Sequence, residues 1–163
     1  MEAANVVFVP ALALGLGFPR NALDAVALGL AMVATAGFLV VGTAFWRGID
    51  RRLRFADRAA AGRALALADR VEQPLLAINL AAGAATLIAL TANGWTGAVI
   101  AAAALSVLAG LEYVNYYHRQ LQHFDNRADF RRLVSGRGGR PSHMARDLTA
   151  WRRARAARLR DTD

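Results

Sequence analysis

The sequence predicts an all-α membrane protein, a polytopic helical bundle of three to four transmembrane helices with amphipathic cytoplasmic helices. The chain of 163 residues is 56% hydrophobic although it carries 20 basic residues. These opposed compositions occupy separate blocks, because residues 25–46 and 73–111 contain no charged side chain. A helix rises about 1.5 Å per residue and needs roughly 20 apolar residues to cross a bilayer core. Each block is therefore long enough to span.

The first apolar segment, residues 3–18, allows two interpretations. It is short for a span, and four residues weaken a straight helix within it: Asn5, Pro10, Gly15 and Gly17. It is either a short or broken spanning helix or an interfacial or re-entrant segment. A signal peptide is disfavoured, because Glu2 stands where a positive charge is expected.

The second segment is a predicted span from Ala22 to Trp46, introduced by a turn at Pro19 and Arg20 with Asn21 as the cap. Residues 47–72 then carry seven arginines and four acids. Apolar residues recur there at helical spacing, which predicts an amphipathic helix with its break at Gly62.

A hairpin of two spans is predicted next. Pro74 suits the first turn of a helix that runs to about Ala92, and Asn93-Gly94-Trp95 then makes a tight turn. The chain is apolar again from Thr96 to Leu111, and the helical pattern continues to about Val134. Residues 1–134 are therefore interpreted as a transmembrane bundle with helical cytoplasmic extensions.

Residues 135–163 form an Arg-rich tail. A glycine-rich and arginine-rich stretch ending at Pro141 interrupts the helical pattern, and Ser142 can cap a last helix to about Arg160. Its narrow apolar edge consists of Met144, Leu148, Trp151 and Leu159. A basic helix of this kind favours lying on an anionic membrane surface.

The distribution of arginine predicts the orientation. Residues 47–72 have a net charge of +3 (7 − 4), and the tail from Arg119 has +7 (12 − 5), whereas the hairpin turn has no basic residue. Cytoplasmic loops are enriched in basic residues, so both arginine clusters are predicted to be cytoplasmic. The protein is thus assigned to the cell membrane with a cytoplasmic carboxyl terminus, and Trp46 and Trp95 mark its two interfaces.

Polar and aromatic residues gather at the inner end of the last span. The candidate ligand-binding residues are Glu112, Asn115, Tyr116, His118, Arg119 and His123. Most of these residues lie on one stripe of the helix. The carboxylate of Glu112 lies just inside the apolar region, where it needs a partner. The stripe either lines a cytoplasmic cavity for a headgroup, cofactor or proton, or it is an interhelical polar clamp beside tyrosines of the aromatic belt.

A second candidate set would contact anionic headgroups in the tail: Arg137, Arg140, Arg152, Arg153 and Arg155. Each arginine near an anionic leaflet contributes on the order of 1 kcal/mol. The alternatives for this tail are docking on an acidic protein partner and nucleic-acid contact. Nucleic acid is the weakest of the three interpretations, because Trp151 is the only aromatic residue in the last helix. No metal or cofactor is predicted, since cysteine is absent and His118 and His123 are five residues apart.

Two functions remain open from the sequence. The first is a non-catalytic accessory or scaffold subunit of a membrane assembly, with a membrane-protein partner or a homo-oligomer. It is motivated by the lack of a catalytic or nucleotide motif and by small-residue faces at 29–37 and 81–85. The alternative is a small membrane enzyme or carrier that handles a lipid headgroup or other amphiphile through residues 112–123. An ion pathway has little support, because the central portions of the predicted spans carry no ionisable group. No catalytic residue is assigned.

Overall fold

The computed structural model describes residues 2–119, 121 and 140–161. Of these residues, 87% are helical and none lies in a strand. The described residues contain five helices: α1 (Glu2–Leu16), α2 (Ala22–Phe55), α3 (Arg58–Asn93), α4 (Gly97–Tyr117) and α5 (His143–Arg160). The prediction of an all-helical fold is confirmed for this described part of the chain.

Three helices, α2, α3 and α4, are long and apolar enough to cross a membrane. Helix α1 has 15 residues, which gives a length of about 22 Å and falls short of a bilayer core. Its Ala13 is nevertheless buried in the protein core, so α1 packs against the longer helices. The part of the chain that the structure describes thus provides three candidate spans and, at its start, one short additional helix.

The junction between α2 and α3 differs from the prediction. Helix α2 continues to Phe55, and Gly62, the expected break, lies within α3. The chain reverses instead at Ala56, which has a φ of 54°, and at Asp57, whose carboxylate accepts a hydrogen bond from the Ala60 backbone N–H at 3.0 Å. A side-chain cap at Asp57 therefore decides where α3 begins, and a glycine inside a helix does not suffice to end it.

Helix α3 also passes through Pro74, which was expected to begin a new helix. Proline removes one backbone donor from the helix, and the alanine-rich and leucine-rich segments on both sides continue the ladder around it. Helix α4 ends at Tyr117, although the helical pattern extends to about Val134. The backbone N–H groups of His118 and Arg119 both donate to the Val114 carbonyl, at 3.0 and 2.8 Å, which closes the last turn of α4. Residues 122–134 lie outside the described part of the chain.

The helices form two compact units, the first of residues 1–44 and 70–112 and the second of residues 45–69 and 113–163. The core of the first unit is rich in alanine, which lets helix backbones approach closely. Its fully buried members include Ala27, Ala31, Ala82, Ala89 and Ala102. The Thr35 hydroxyl donates to the Leu105 carbonyl at 3.0 Å and links α2 to α4.

One end of the first unit is organised around Asp24, which is fully buried. Its carboxylate accepts hydrogen bonds from Asn93 Nδ2 at 2.7 Å and from the Thr96 hydroxyl at 3.4 Å. It also accepts one from the Arg20 backbone N–H at 3.3 Å. The start of α2 is therefore joined to the turn between α3 and α4. Sequence reasoning assigned Asp24 no role, because its main partner lies 69 residues away.

In the second unit, α2 and α3 pack with little separation. A Cβ atom on Gly48 would lie 3.1 Å from the Ala60 carbonyl oxygen and 3.2 Å from Ala61 Cα. The Tyr117 hydroxyl donates to the Ala68 carbonyl at 2.9 Å and holds the end of α4 against α3. Helix α5 buries Met144 and Leu148, two residues of the predicted apolar edge.

Candidate anion-binding groove

An open groove of about 620 Å³ lies in the second unit, where the end of α4 meets the first turns of α5. Nine described residues line it: Tyr117, His118, Arg119, Pro141, Ala145, Arg146, Thr149, Ala150 and Arg153. Three of these residues are arginines and none is acidic. The groove is therefore a concave basic surface.

The first wall of the groove forms because α4 stops. Once the turn at Val114 closes the helix, His118 and Arg119 leave the helical register and their side chains are exposed. Arg119 pairs with Pro141 in an antiparallel β-bridge, which brings the two chain segments together at the base of the groove. The His118 ring lies edge-on to Tyr113, with ring centroids 5.0 Å apart, and this contact orients the imidazole.

The second wall is the beginning of α5, which Ser142 fixes in place. The Ser142 hydroxyl accepts from the Ala145 backbone N–H at 3.0 Å, as an N-cap does, and donates to the Tyr116 carbonyl at 2.6 Å. The Ser142 backbone N–H also donates to the His118 carbonyl at 3.3 Å. One buried serine thus both starts α5 and joins it to the end of α4.

The groove-facing residues of α5 follow the helical repeat. Positions 146, 149, 150 and 153 are spaced i, i+3, i+4 and i+7, so they share one stripe. A different face of the helix carries the buried Met144 and Leu148. It also carries two arginines that bind Asp69, with Arg152 Nε 2.6 Å and Arg155 Nη1 3.4 Å from the carboxylate. The face of α5 with Arg152 and Arg155 therefore contacts α3, and the stripe with Arg146 and Arg153 lines the groove.

The electrostatics of the groove favour an anion. A guanidinium group offers several N–H donors in a fixed plane and binds carboxylate or phosphate oxygens in pairs. The three lining guanidiniums belong to Arg119, Arg146 and Arg153, and all three residues are exposed. With no carboxylate among the described lining residues to neutralise them, an anionic group is the complementary ligand.

The structure brings together some of the residues predicted from the sequence. His118 and Arg119 of the first set and Arg153 of the second line the groove. Tyr116 is buried beside it, and its carbonyl accepts the Ser142 hydroxyl. Asn115 caps the end of α4, since its side-chain oxygen accepts from the Leu121 backbone N–H at 3.0 Å.

The other predicted residues are not among those that line the groove. Glu112 is partly buried in the first unit, and Arg140 is exposed next to the groove residue Pro141. Arg152 and Arg155 contact Asp69, and Arg155 also lies over the Trp151 ring, 5.4 Å from its centroid. His123 and Arg137 lie outside the described residues. That Glu112, Asn115 and Tyr116 contact a ligand stays a prediction.

Sequence reasoning missed Arg146 and Thr149 as groove residues. Their spacing from Arg153 could have identified them, because residues three, four and seven positions apart lie on the same face of a helix. The sequence alone does not say which stripe of α5 faces outward. That choice depends on Asp69 in α3, which lies 83 residues from Arg152.

The described residues do not form a metal centre, because no three His, Cys, Asp or Glu side chains among them lie close enough together to hold an ion.

Comparison of the chain with protein-family models, curated proteins and solved structures finds no match. The groove is therefore interpreted from its own chemistry.

Proposed function

We propose that this protein is a cell-membrane protein that binds the anionic headgroup of an amphiphile in the basic groove. The observation that carries the proposal is the convergence of Arg119, Arg146 and Arg153 on one concavity without an acidic lining residue among those described. Three candidate spans and a groove near the interfacial tyrosines would place such a site within reach of a membrane surface.

The proposed orientation puts the groove and the carboxyl terminus in the cytoplasm. Both arginine-rich regions, residues 47–72 and the tail, belong on that side by the bias of basic residues toward cytoplasmic loops. The cytoplasmic leaflet carries the anionic lipids, and each nearby arginine adds on the order of 1 kcal/mol of attraction. An anionic headgroup at that surface is therefore the ligand that the groove would meet at the highest local concentration.

The groove supports binding or carriage better than covalent chemistry. The Thr149 hydroxyl, which could act as a nucleophile, donates to the Ala145 carbonyl at 2.8 Å, and the Tyr117 hydroxyl donates to the Ala68 carbonyl. No described lining residue pairs with the His118 imidazole as an acid or a nucleophile. The proposed function is therefore recognition of a headgroup.

The test is a titration of the purified protein in detergent with short-chain phosphatidylglycerol and phosphatidylcholine, read by native mass spectrometry. The variant R146Q/R153Q removes two lining guanidiniums, and R158Q/R160Q removes the same charge from α5 outside the groove. We expect R146Q/R153Q to weaken phosphatidylglycerol binding at least about tenfold, because hydrogen bonds to charged groups are each worth about 1.5–3 kcal/mol. Equal binding by the two double variants, or no preference for phosphatidylglycerol, would contradict the proposal.

We also propose, as a second function, an accessory subunit of a membrane assembly. The observation that favours it is the low burial of α3, since 17% of its most apolar window is buried within the chain, against 50% for α2. The exposed apolar residues there include Leu80, Leu87 and Ile88. Purification from native membranes in mild detergent tests this role, and a monodisperse monomer without a co-purifying protein would argue against it.

A further inference from the structure

The arginines of the groove stand at two levels along α5. Arg119 lies at the beginning of the helix, because it forms a β-bridge with Pro141 and α5 starts two residues later. Arg146 belongs to the first turn of α5. Arg153 follows seven residues later, which at about 1.5 Å per residue places its Cα atom about 10 Å farther along the axis. The groove therefore has a pair of arginines at its beginning and a single arginine two turns away.

The two levels stay apart because Arg146 is turned toward the start of α5. Its Nη2 atom lies 2.9 Å from His143 Nδ1, one turn nearer the beginning of the helix. A guanidinium group only donates, so the imidazole nitrogen accepts this hydrogen bond. Between the two levels the groove is lined by Thr149 and Ala150, and the Thr149 hydroxyl already donates to the Ala145 carbonyl. These short side chains leave room for the part of a ligand that joins two anionic groups.

Helix α5 lies across α4 and α3 rather than alongside them. At its start, the Ser142 hydroxyl donates to a carbonyl at the end of α4. Ten residues later, or about 15 Å along the helix, Arg152 binds Asp69 of α3. These two contacts are at the same level of α3 and α4, because the neighbouring residues Tyr117 and Ala68 are joined by a hydrogen bond at 2.9 Å. In the proposed orientation, both arginine levels therefore lie side by side at one depth of the membrane interface.

A ligand with two separated phosphates fits this arrangement better than a ligand with one. A single phosphate between Arg119 and Arg146 would leave the Arg153 guanidinium two turns away. Two phosphates joined by a three-carbon linker have six covalent bonds between their phosphorus atoms, which at about 1.5 Å per bond allows a separation of about 7 Å. Flexible arginine side chains can adapt a backbone spacing of about 10 Å to that separation. A diphosphate spans only about 3 Å, so both levels would have to converge on it.

We propose that the groove recognises a ligand with two phosphates joined by a short linker, the headgroup chemistry of cardiolipin. One phosphate would bind Arg119 and Arg146, and the other would bind Arg153. This inference rests on the proposed function of the groove and names the class of its ligand. Cardiolipin holds its two phosphates at the same depth of one leaflet, as the lateral course of α5 requires, and basic pockets at the cytoplasmic side of membrane proteins bind such headgroups. Once the first phosphate is bound, the linker presents the second at a high effective concentration.

The experiment titrates the purified full-length protein in detergent with cardiolipin and with phosphatidylglycerol, read by native mass spectrometry. We expect cardiolipin to bind at least about tenfold more tightly, because its second phosphate adds charge-assisted hydrogen bonds. The variant R153Q is expected to bind cardiolipin about tenfold more weakly and to change phosphatidylglycerol binding less than about threefold, since one phosphate keeps the other two arginines. R160Q removes the same charge from α5 at a position that is not among the described lining residues, and it is expected to bind both lipids like the wild type.

A third ligand, deacylated cardiolipin, carries the same two phosphates without acyl chains and distinguishes their source. Tighter binding of intact cardiolipin identifies a lipid, and equal binding of the deacylated compound identifies a soluble molecule with two phosphates. Equal affinity of the wild type for cardiolipin and phosphatidylglycerol, or an R153Q variant that keeps the preference, would overturn the inference. The proposed function would survive either result if R146Q/R153Q still bound phosphatidylglycerol more weakly than R158Q/R160Q did. Equal binding of phosphatidylglycerol by those two double variants would remove both.

Discussion

Replacement of Asp24 is expected to cost the first unit about 3 kcal/mol of folding free energy. The carboxylate is fully buried and receives the Asn93 amide at 2.7 Å, a charge-assisted bond of about 1.5–3 kcal/mol. The bonds from the Thr96 hydroxyl at 3.4 Å and the Arg20 N–H at 3.3 Å are long and add on the order of 1 kcal/mol together. In D24A all three donors lose their acceptor inside the protein.

The assay is unfolding of the purified protein in detergent, followed by circular dichroism against increasing sodium dodecyl sulfate. D24N keeps the shape of the side chain and one acceptor oxygen for Asn93, so we expect it to cost about half as much as D24A. D50A is the control, because Asp50 forms an exposed pair with Arg54 on the same helix that is worth about 0.5 kcal/mol. A D24A variant no less stable than D50A would refute the reasoning. Equal costs for N93A alone and for N93A made in the D24A background would refute the coupling between the two residues.

Two further perturbations test the packing of the units. A Cβ atom on Gly97 would overlap the Leu16 carbonyl oxygen, so G97A is expected to destabilise the first unit, whereas G83A, with no atom within 4 Å of its Cβ, is expected to be neutral or stabilising by up to about 1 kcal/mol. Detergent unfolding midpoints compare the two, and a G97A midpoint at or above that of G83A would contradict this packing. In the second unit, S142A removes the cap of α5 and the hydrogen bond to the Tyr116 carbonyl, for a loss of about 1–2 kcal/mol. Amide hydrogen exchange of residues 145–150 is expected to accelerate, and unchanged protection there would show that Ser142 does not hold α5.

The candidate spans could be predicted from the sequence because their signal is local. The uncharged tract at 25–46 lies within α2, and the tract at 73–111 runs through α3, the turn at 94–96 and α4; all three helices are long and apolar enough to cross a membrane. Helix ends were harder to predict, because they depend on single hydrogen bonds. Gly62 and Pro74, which suggest breaks by residue type, lie inside α3, and Asp57 determines its start through one capping bond.

The candidate site was predictable in part, and the limit again lies in contacts between distant residues. His118, Arg119 and Arg153 were found from charge and position, and all three line the groove. The roles of Asp24 and Asp69 were not predictable, because each depends on a partner at least 69 residues away in the sequence. Periodicity shows which residues share a helix face, but the contact of that face with another helix decides what the face does.

Helix α5 carries two pairs of arginines, Arg152 with Arg155 and Arg146 with Arg153. These pairs show why the contact made by each helix face matters for function. Residues 152 and 153 are adjacent in sequence, yet about 100° of helical rotation separates their side chains. Asp69 holds the face that carries Arg152, so Arg153 is turned toward the groove. A helix docked by the other stripe would bring the same net charge to the membrane but would not gather its guanidiniums in one concavity. Under the proposed function, the charge of the tail alone would give attraction to an anionic surface, whereas selection of a particular headgroup would require the register that Asp69 and Ser142 impose on α5.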